Sequence, residues 1–122
     1  MKYLLLLNNG ASEWDAWRKL TPDEAQKYRE QEMPRWNALS GWLGEQGIEA
    51  NGLELADPAD ARVVRVRDGR TVVTDGPFAE TKEVVGGYFL VDCKDLDQAI
   101  ELAQRVPLVG KGSVEIRPVV TN

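Results

Sequence analysis

Tyr3-Leu4-Leu5-Leu6-Leu7 is an uninterrupted apolar run, closed by Asn8-Asn9-Gly10. A strand that lies half in water alternates apolar with polar residues, whereas one that does not alternate is covered on both faces. The run therefore predicts a central strand over residues 3–8, and the rest of the chain has to supply its cover. With 122 residues and 43% hydrophobic content there is material for one domain spanning residues 1–122 and one core.

Helices come from the capping patterns. Thr21-Pro22-Asp23-Glu24 combines a capping threonine, proline at the first helical position and a glutamate three residues after the cap. A helix is predicted from Pro22 to about Glu45, stopped by a left-handed Gly47 and kinked by Pro34 near residues 30–33. Beyond the kink Trp36, Leu39 and Leu43 make its buried stripe, with Trp42 to one side as a half-buried ring. Asp95-Leu96-Asp97-Gln98 opens another helix, with Leu96, Ala99, Ile100, Ala103 and Val106 on the apolar face and Pro107 as its end. Ser12 offers a cap for a short helical turn that carries Trp14 and Trp17 on one side.

Strands fill the intervals. Leu53 to Ala56 reads as a short strand, followed by a loop at Asp57-Pro58-Ala59-Asp60. Arg62–Arg67 and Arg70–Thr74 flank Asp68-Gly69, a two-residue turn suited to type I′ geometry, which sets Arg67 opposite Arg70 and Val64 opposite Val73. One hairpin face then carries Val64, Val66, Thr71 and Val73, the other Arg65, Arg67 and Arg70. Three arginines in a row suit an anionic ligand or an acidic partner, but more commonly they keep a sheet face wet. Gly86 to Cys93 is a strand with Phe89, Val91 and Cys93 on one side, its two glycines marking a bulge or the close approach of another backbone. Ser113 to Arg117 is the last strand, with Val114 and Ile116 inward.

This order predicts an α+β domain: a mostly antiparallel sheet with two main helices on one face. Residues 3–8, 70–74, 86–93 and 113–117 are expected to be the core strands, with 52–67 as an insertion. A sheet covered on one side only leaves an apolar face open, so a homodimer packed face to face is expected.

Charge and composition exclude several functions. A net charge of −5 without a basic block disfavours nucleic acid and anionic membranes. The N-terminal apolar run is too short for a secretory signal or a membrane span, which predicts a soluble cytoplasmic protein. With one cysteine and no histidine there is neither an internal disulfide nor a Cys/His metal pattern, and Cys93 reads as a small buried hydrophobe. No glycine-rich phosphate loop precedes a helix, and no cofactor is expected.

Chemistry concentrates in Thr74-Asp75-Gly76-Pro77-Phe78-Ala79-Glu80-Thr81-Lys82-Glu83, which links two strands. Gly76 and Pro77 stiffen the bend and Phe78 offers an anchor. Without histidine, acid–base work near neutral pH falls to a buried carboxylate or lysine. Asp75 is the leading candidate, with Lys82 as its partner or as an orienter of an anionic substrate; Glu80 and Glu83 are secondary, and no ligand spacing marks a metal site. The structural alternative has Asp75 accepting hydrogen bonds from amides of its own loop.

The stretch from Arg67-Asp68-Gly69-Arg70 through Asp75-Gly76-Pro77-Phe78-Ala79-Glu80-Thr81-Lys82-Glu83 to Gly86-Gly87-Tyr88 resembles the YCII-related family, in its DGPF subgroup. So do Met1-Lys2-Tyr3, the Leu20–Glu24 helix start, the Asp95-Leu96-Asp97 cap and the closing Gly112–Pro118. The resemblance implies a ferredoxin-like dimeric α+β barrel. It implies no single activity: some relatives occur beside or fused to extracytoplasmic-function sigma factors, and some enzymes of the wider family use a histidine–aspartate pair that this chain cannot build. Three readings follow. The first is a noncatalytic small-molecule-binding dimer, its pocket formed by Trp14, Trp17, Phe78 and Tyr88 with Asp75, Gly76, Pro77, Glu80 and Lys82 around the bend. The second is a lyase- or isomerase-like enzyme with Asp75 as base. The third is an interaction module for a sigma factor.

Overall fold

The computed structural model describes residues 1–76, 83–108 and 112–121. Its elements are β1 (Lys2–Gly10), α1 (Ala11–Arg18), α2 (Pro22–Gln46), β2 (Glu49–Glu54), a 3₁₀ turn (Pro58–Asp60), β3 (Arg62–Arg67), β4 (Arg70–Asp75), β5 (Glu83–Asp92), α3 (Leu96–Arg105) and β6 (Ser113–Pro118). Four strands form one antiparallel sheet in the order β2-β5-β1-β6. With α2 between β1 and β2 and α3 between β5 and β6, this is a ferredoxin-like α+β fold.

The apolar run of β1 sits inside the sheet, flanked by β5 and β6, as its lack of alternation requires. Tyr3, Leu5 and Leu7 are buried with Val91, Cys93 and Ile48 under Leu39 of α2 and Ala99 and Leu102 of α3. Both helices therefore cover the same face. Leu4 and Leu6 point to the opposite face, where their cross-strand partners are Leu90 and Tyr88, and both are only half-buried.

Local signals in the sequence shape the helix ends. The Thr21 hydroxyl accepts from the Glu24 amide at 3.2 Å while the Glu24 carboxylate accepts from the Thr21 amide at 3.0 Å. Asp95 accepts from the Gln98 amide at 2.9 Å, and the Gln98 side chain reaches back to the Lys94 amide. Gly47 closes α2 at φ 67°. This helix runs 25 residues and passes through Pro34 as a single element. Ser12 does not cap α1: β1 continues to Gly10, which is the cap, and the Ser12 hydroxyl donates to Glu13 instead. In α3 the helix face is rotated from the expected stripe. Leu102 is fully buried, while Leu96 and Ile100 are exposed.

The expected membership of the sheet needs one correction. Residues 70–75 are not a core strand. They pair with β3 alone, in a separate two-stranded sheet, and every residue of β4 is exposed. The fourth place is taken by β2, which pairs with β5 from Glu49↔Asp92 to Glu54↔Gly87. The insertion in the ferredoxin-like frame is thus the turn and hairpin over 58–75. Its register is the expected one, Arg67 opposite Arg70 and Val64 opposite Val73, with Asp68 and Gly69 at φ 52° and 75° as a type I′ turn requires. Its apolar face stands in solvent: Val64, Val66 and Val73 are 58 to 70% exposed; on the other face Arg65 is half-buried, and Arg67 and Arg70 are exposed.

Gly86 forms the bulge that its sequence context indicated. Leu7 pairs with Gly87 but Asn8 pairs with Val85, so one residue of β5 is left over. A side chain there would come within 2.7 Å of Asn9 Nδ2 and 3.1 Å of the Trp14 ring. The missing side chain is what lets Trp14 lie against the strand.

Candidate ligand-binding cleft

Where α1 turns into α2 the chain makes a cleft of about 450 Å³. Trp14, Trp17 and Leu20 line it from α1 and its exit, Pro22 and Ala25 from the first turn of α2, and Leu55 and Ala56 from the segment after β2. Leu55 is fixed by its amide, which donates to the Gly86 carbonyl at 2.9 Å. The floor is thereby tied to the bulge that seats Trp14. Trp17 stands edge-on to Tyr28, ring centroids 5.8 Å apart. The Trp14 indole N–H is buried and has no hydrogen-bond partner among the described residues.

Two arginines border the same cleft, each held by a carboxylate that also borders it. Arg18 Nε and Nη2 donate to Asp57 Oδ2 and Oδ1 at 2.7 and 2.6 Å, and Nη1 donates to Asp15 at 3.0 Å. Asp57 also accepts from the Ala59 amide at 2.8 Å. The Arg18 hydrogen bond, then the Ala59 amide, lower the Asp57 carboxyl from 3.8 to about 2. Arg29 Nη1 and Nη2 donate to Glu54 Oε2 and Oε1 at 3.1 and 3.0 Å, and its guanidinium lies 5.0 Å over the Trp17 ring. These two clasps tie α1 and α2 to the end of β2 and the loop that follows.

The candidate residues read from the sequence fall into separate places. Trp14 and Trp17 share the cleft. Tyr88 lies on the open face of the sheet, opposite Leu6 and Leu53. Asp75 is at the root of the hairpin with its side chain 87% exposed, 3.3 Å from Arg62 Nε. Gly76 follows it, its amide donating to the Ala61 carbonyl at 3.0 Å. Pro77, Phe78, Glu80 and Lys82 lie outside the described residues. Glu83 opens β5 and accepts from the Ser113 hydroxyl at 2.8 Å. Arg18, Arg29, Glu54 and Asp57 were not singled out from the sequence. Their pairings span 39 and 25 positions, and no local spacing announces them.

The model of the YCII-related domain matches residues 1–121. The chain belongs to the YCII-related domain family. It is similar to an uncharacterised protein of Rhizobium meliloti, 34% identical over 120 residues that cover 97% of this chain and 91% of the relative. This YCII-related chain contains no histidine, so proton transfer would fall to its other ionisable groups. Around the cleft Asp57 stays ionised at any pH well above 2, and Arg18 and Arg29 each hold a carboxylate.

Proposed function

We propose that this YCII-related chain is a small-molecule-binding homodimer that performs no chemistry on its ligand, with one ligand in the cleft between Trp14 and Trp17 of each protomer. The cleft carries the reading. Its volume falls within the roughly 300–1,000 Å³ of small-molecule sites, and its walls are aromatic and aliphatic with a few fixed polar groups, the usual composition of such sites. An enzyme built on Asp75 would need that carboxyl desolvated, and at 87% side-chain exposure beside Arg62 the single chain gives it no such environment.

The chain is described on either side of residues 77–82. It leaves the hairpin root at Gly76 and re-enters the sheet at Glu83, three residues before the bulge on which Trp14 rests. Dimerisation is supported by the open sheet face, where Leu4, Leu6, Tyr88 and Leu90 form an apolar patch with the exposed Leu53 beside them.

A thermal-shift screen of a metabolite-sized library tests the proposal. Hits are expected to raise the melting temperature of the wild type and of Asp75→Asn, to lose their effect in Trp17→Leu, and to be recovered unchanged after incubation. Hits that persist in Trp17→Leu and vanish in Asp75→Asn would move the site to the hairpin root, and a chemically altered hit would make the protein an enzyme.

A further inference from the structure

Among the described residues four charged side chains line the cleft, and their sum is zero: Arg18 and Arg29 against Asp57 and Glu54. From this balance we infer that the cleft takes an uncharged ligand, its two arginines acting as clasps across the site and not as hooks for an anion. The inference rests on the binding role proposed above and specifies its chemistry.

Geometry makes the case. Both guanidinium forks already receive a carboxylate, Arg18 through Nε and Nη2 and Arg29 through Nη1 and Nη2. The third Arg18 nitrogen is occupied by Asp15. An incoming anion would reach only the N–H groups these bonds leave over, and would meet each of them beside a carboxylate already fixed on the same guanidinium. It would also have to approach a protein of net charge −5. An incoming cation meets the reverse problem: each carboxylate in the cleft is already shared with a guanidinium. Giving up a bidentate pair for another ion yields little, because in a half-exposed site one modest charge pairing is only exchanged for another. A neutral molecule meets none of these obstacles. It can lie against Trp14, Leu20, Pro22 and Leu55 and leave both clasps closed.

Benzamide, benzoate and benzamidinium share one shape and differ in charge, which makes them suitable probes. Titrated into the ¹⁵N-labelled wild type, benzamide is expected to move indole and amide signals of residues 14–29 and 54–57 with an affinity at least about tenfold above either ion. In Glu54→Gln, which frees Arg29, the order of benzamide and benzoate is expected to invert. Benzoate binding the wild type in this cleft as well as benzamide does would overturn the inference and leave the cleft standing as a site. If none of the three moved those signals, the binding role itself would fall, and the inference with it.

Discussion

Asp57 shows how one residue can be held by the fold without being poised for chemistry. Three donors converge on its carboxylate, two from Arg18 and one from the Ala59 amide. Its folded value, about 2, is below the ordinary 3.8. A carboxyl with a depressed folded pKa contributes stability that is present above its unfolded value and lost as the pH falls through the folded one. The Asp57 contribution is therefore expected in full above about pH 4 and gone by about pH 2. Urea titrations of the wild type and Asp57→Asn should show stabilities that differ most above pH 4 and converge between pH 4 and pH 2; curves that stay parallel through that window would contradict the clasp. At this scale the sequence was legible where the partner is near. The Thr21–Glu24 box, the Asp95 cap and the Asp68-Gly69 turn each depend on residues within a few positions, and all are formed. Arg18–Asp57 and Arg29–Glu54 depend on the fold bringing distant segments together, and nothing in their neighbours' identities marks them.

The same distinction explains the elements. The central strand was legible because five apolar residues in succession have few other places to go, and α2 because its caps name both ends. The sheet's fourth strand was not. Arg70–Asp75 has the β-branched composition of a strand, whereas Glu49-Ala50-Asn51-Gly52-Leu53-Glu54 has little of it, yet the second is in the core sheet and the first is an exposed hairpin arm. Strand propensity reports how well side chains pack on a half-buried pleat and does not specify which neighbour a strand will find. What fits β2 to its place is Gly52, opposite Phe89: a side chain there would run into the Tyr88 carbonyl oxygen and the Phe89 ring. Gly52→Ala is expected to destabilise the protein by about 2 kcal/mol, the usual cost of overpacking. It should also raise amide exchange along Glu49–Glu54 ahead of β1. Uniform exchange with unchanged stability would show that β2 tolerates the added methyl and that the close approach is not what positions it.

For the whole molecule, the open sheet face carries the proposed assembly and the cleft the proposed use. The helices cover one face of β1, and the other presents Leu4, Leu6, Tyr88 and Leu90. Burying such a face against a second copy is the economical way to remove it from water. Sedimentation velocity is expected to find the wild type as a dimer and Leu90→Lys as a folded monomer; a wild type that sediments as a monomer at tens of micromolar would remove the dimer from the account. The candidate site was legible only in part. Trp14 and Trp17, two large rings three residues apart that need cover, line one cleft, but the bend at Asp75-Gly76, dense in ionisable groups, places Asp75 in solvent beside Arg62.

Central to this account is the proposal that the protein meets a ligand between α1, the start of α2 and the end of β2, and not at the hairpin root. Chemical-shift mapping with the strongest neutral binder from a fragment screen tests this directly. The account predicts perturbed signals confined to residues 14–29 and 54–57, the Trp14 and Trp17 indoles among them. Perturbations centred on residues 70–76 and Glu83, with both indoles unmoved, would contradict it.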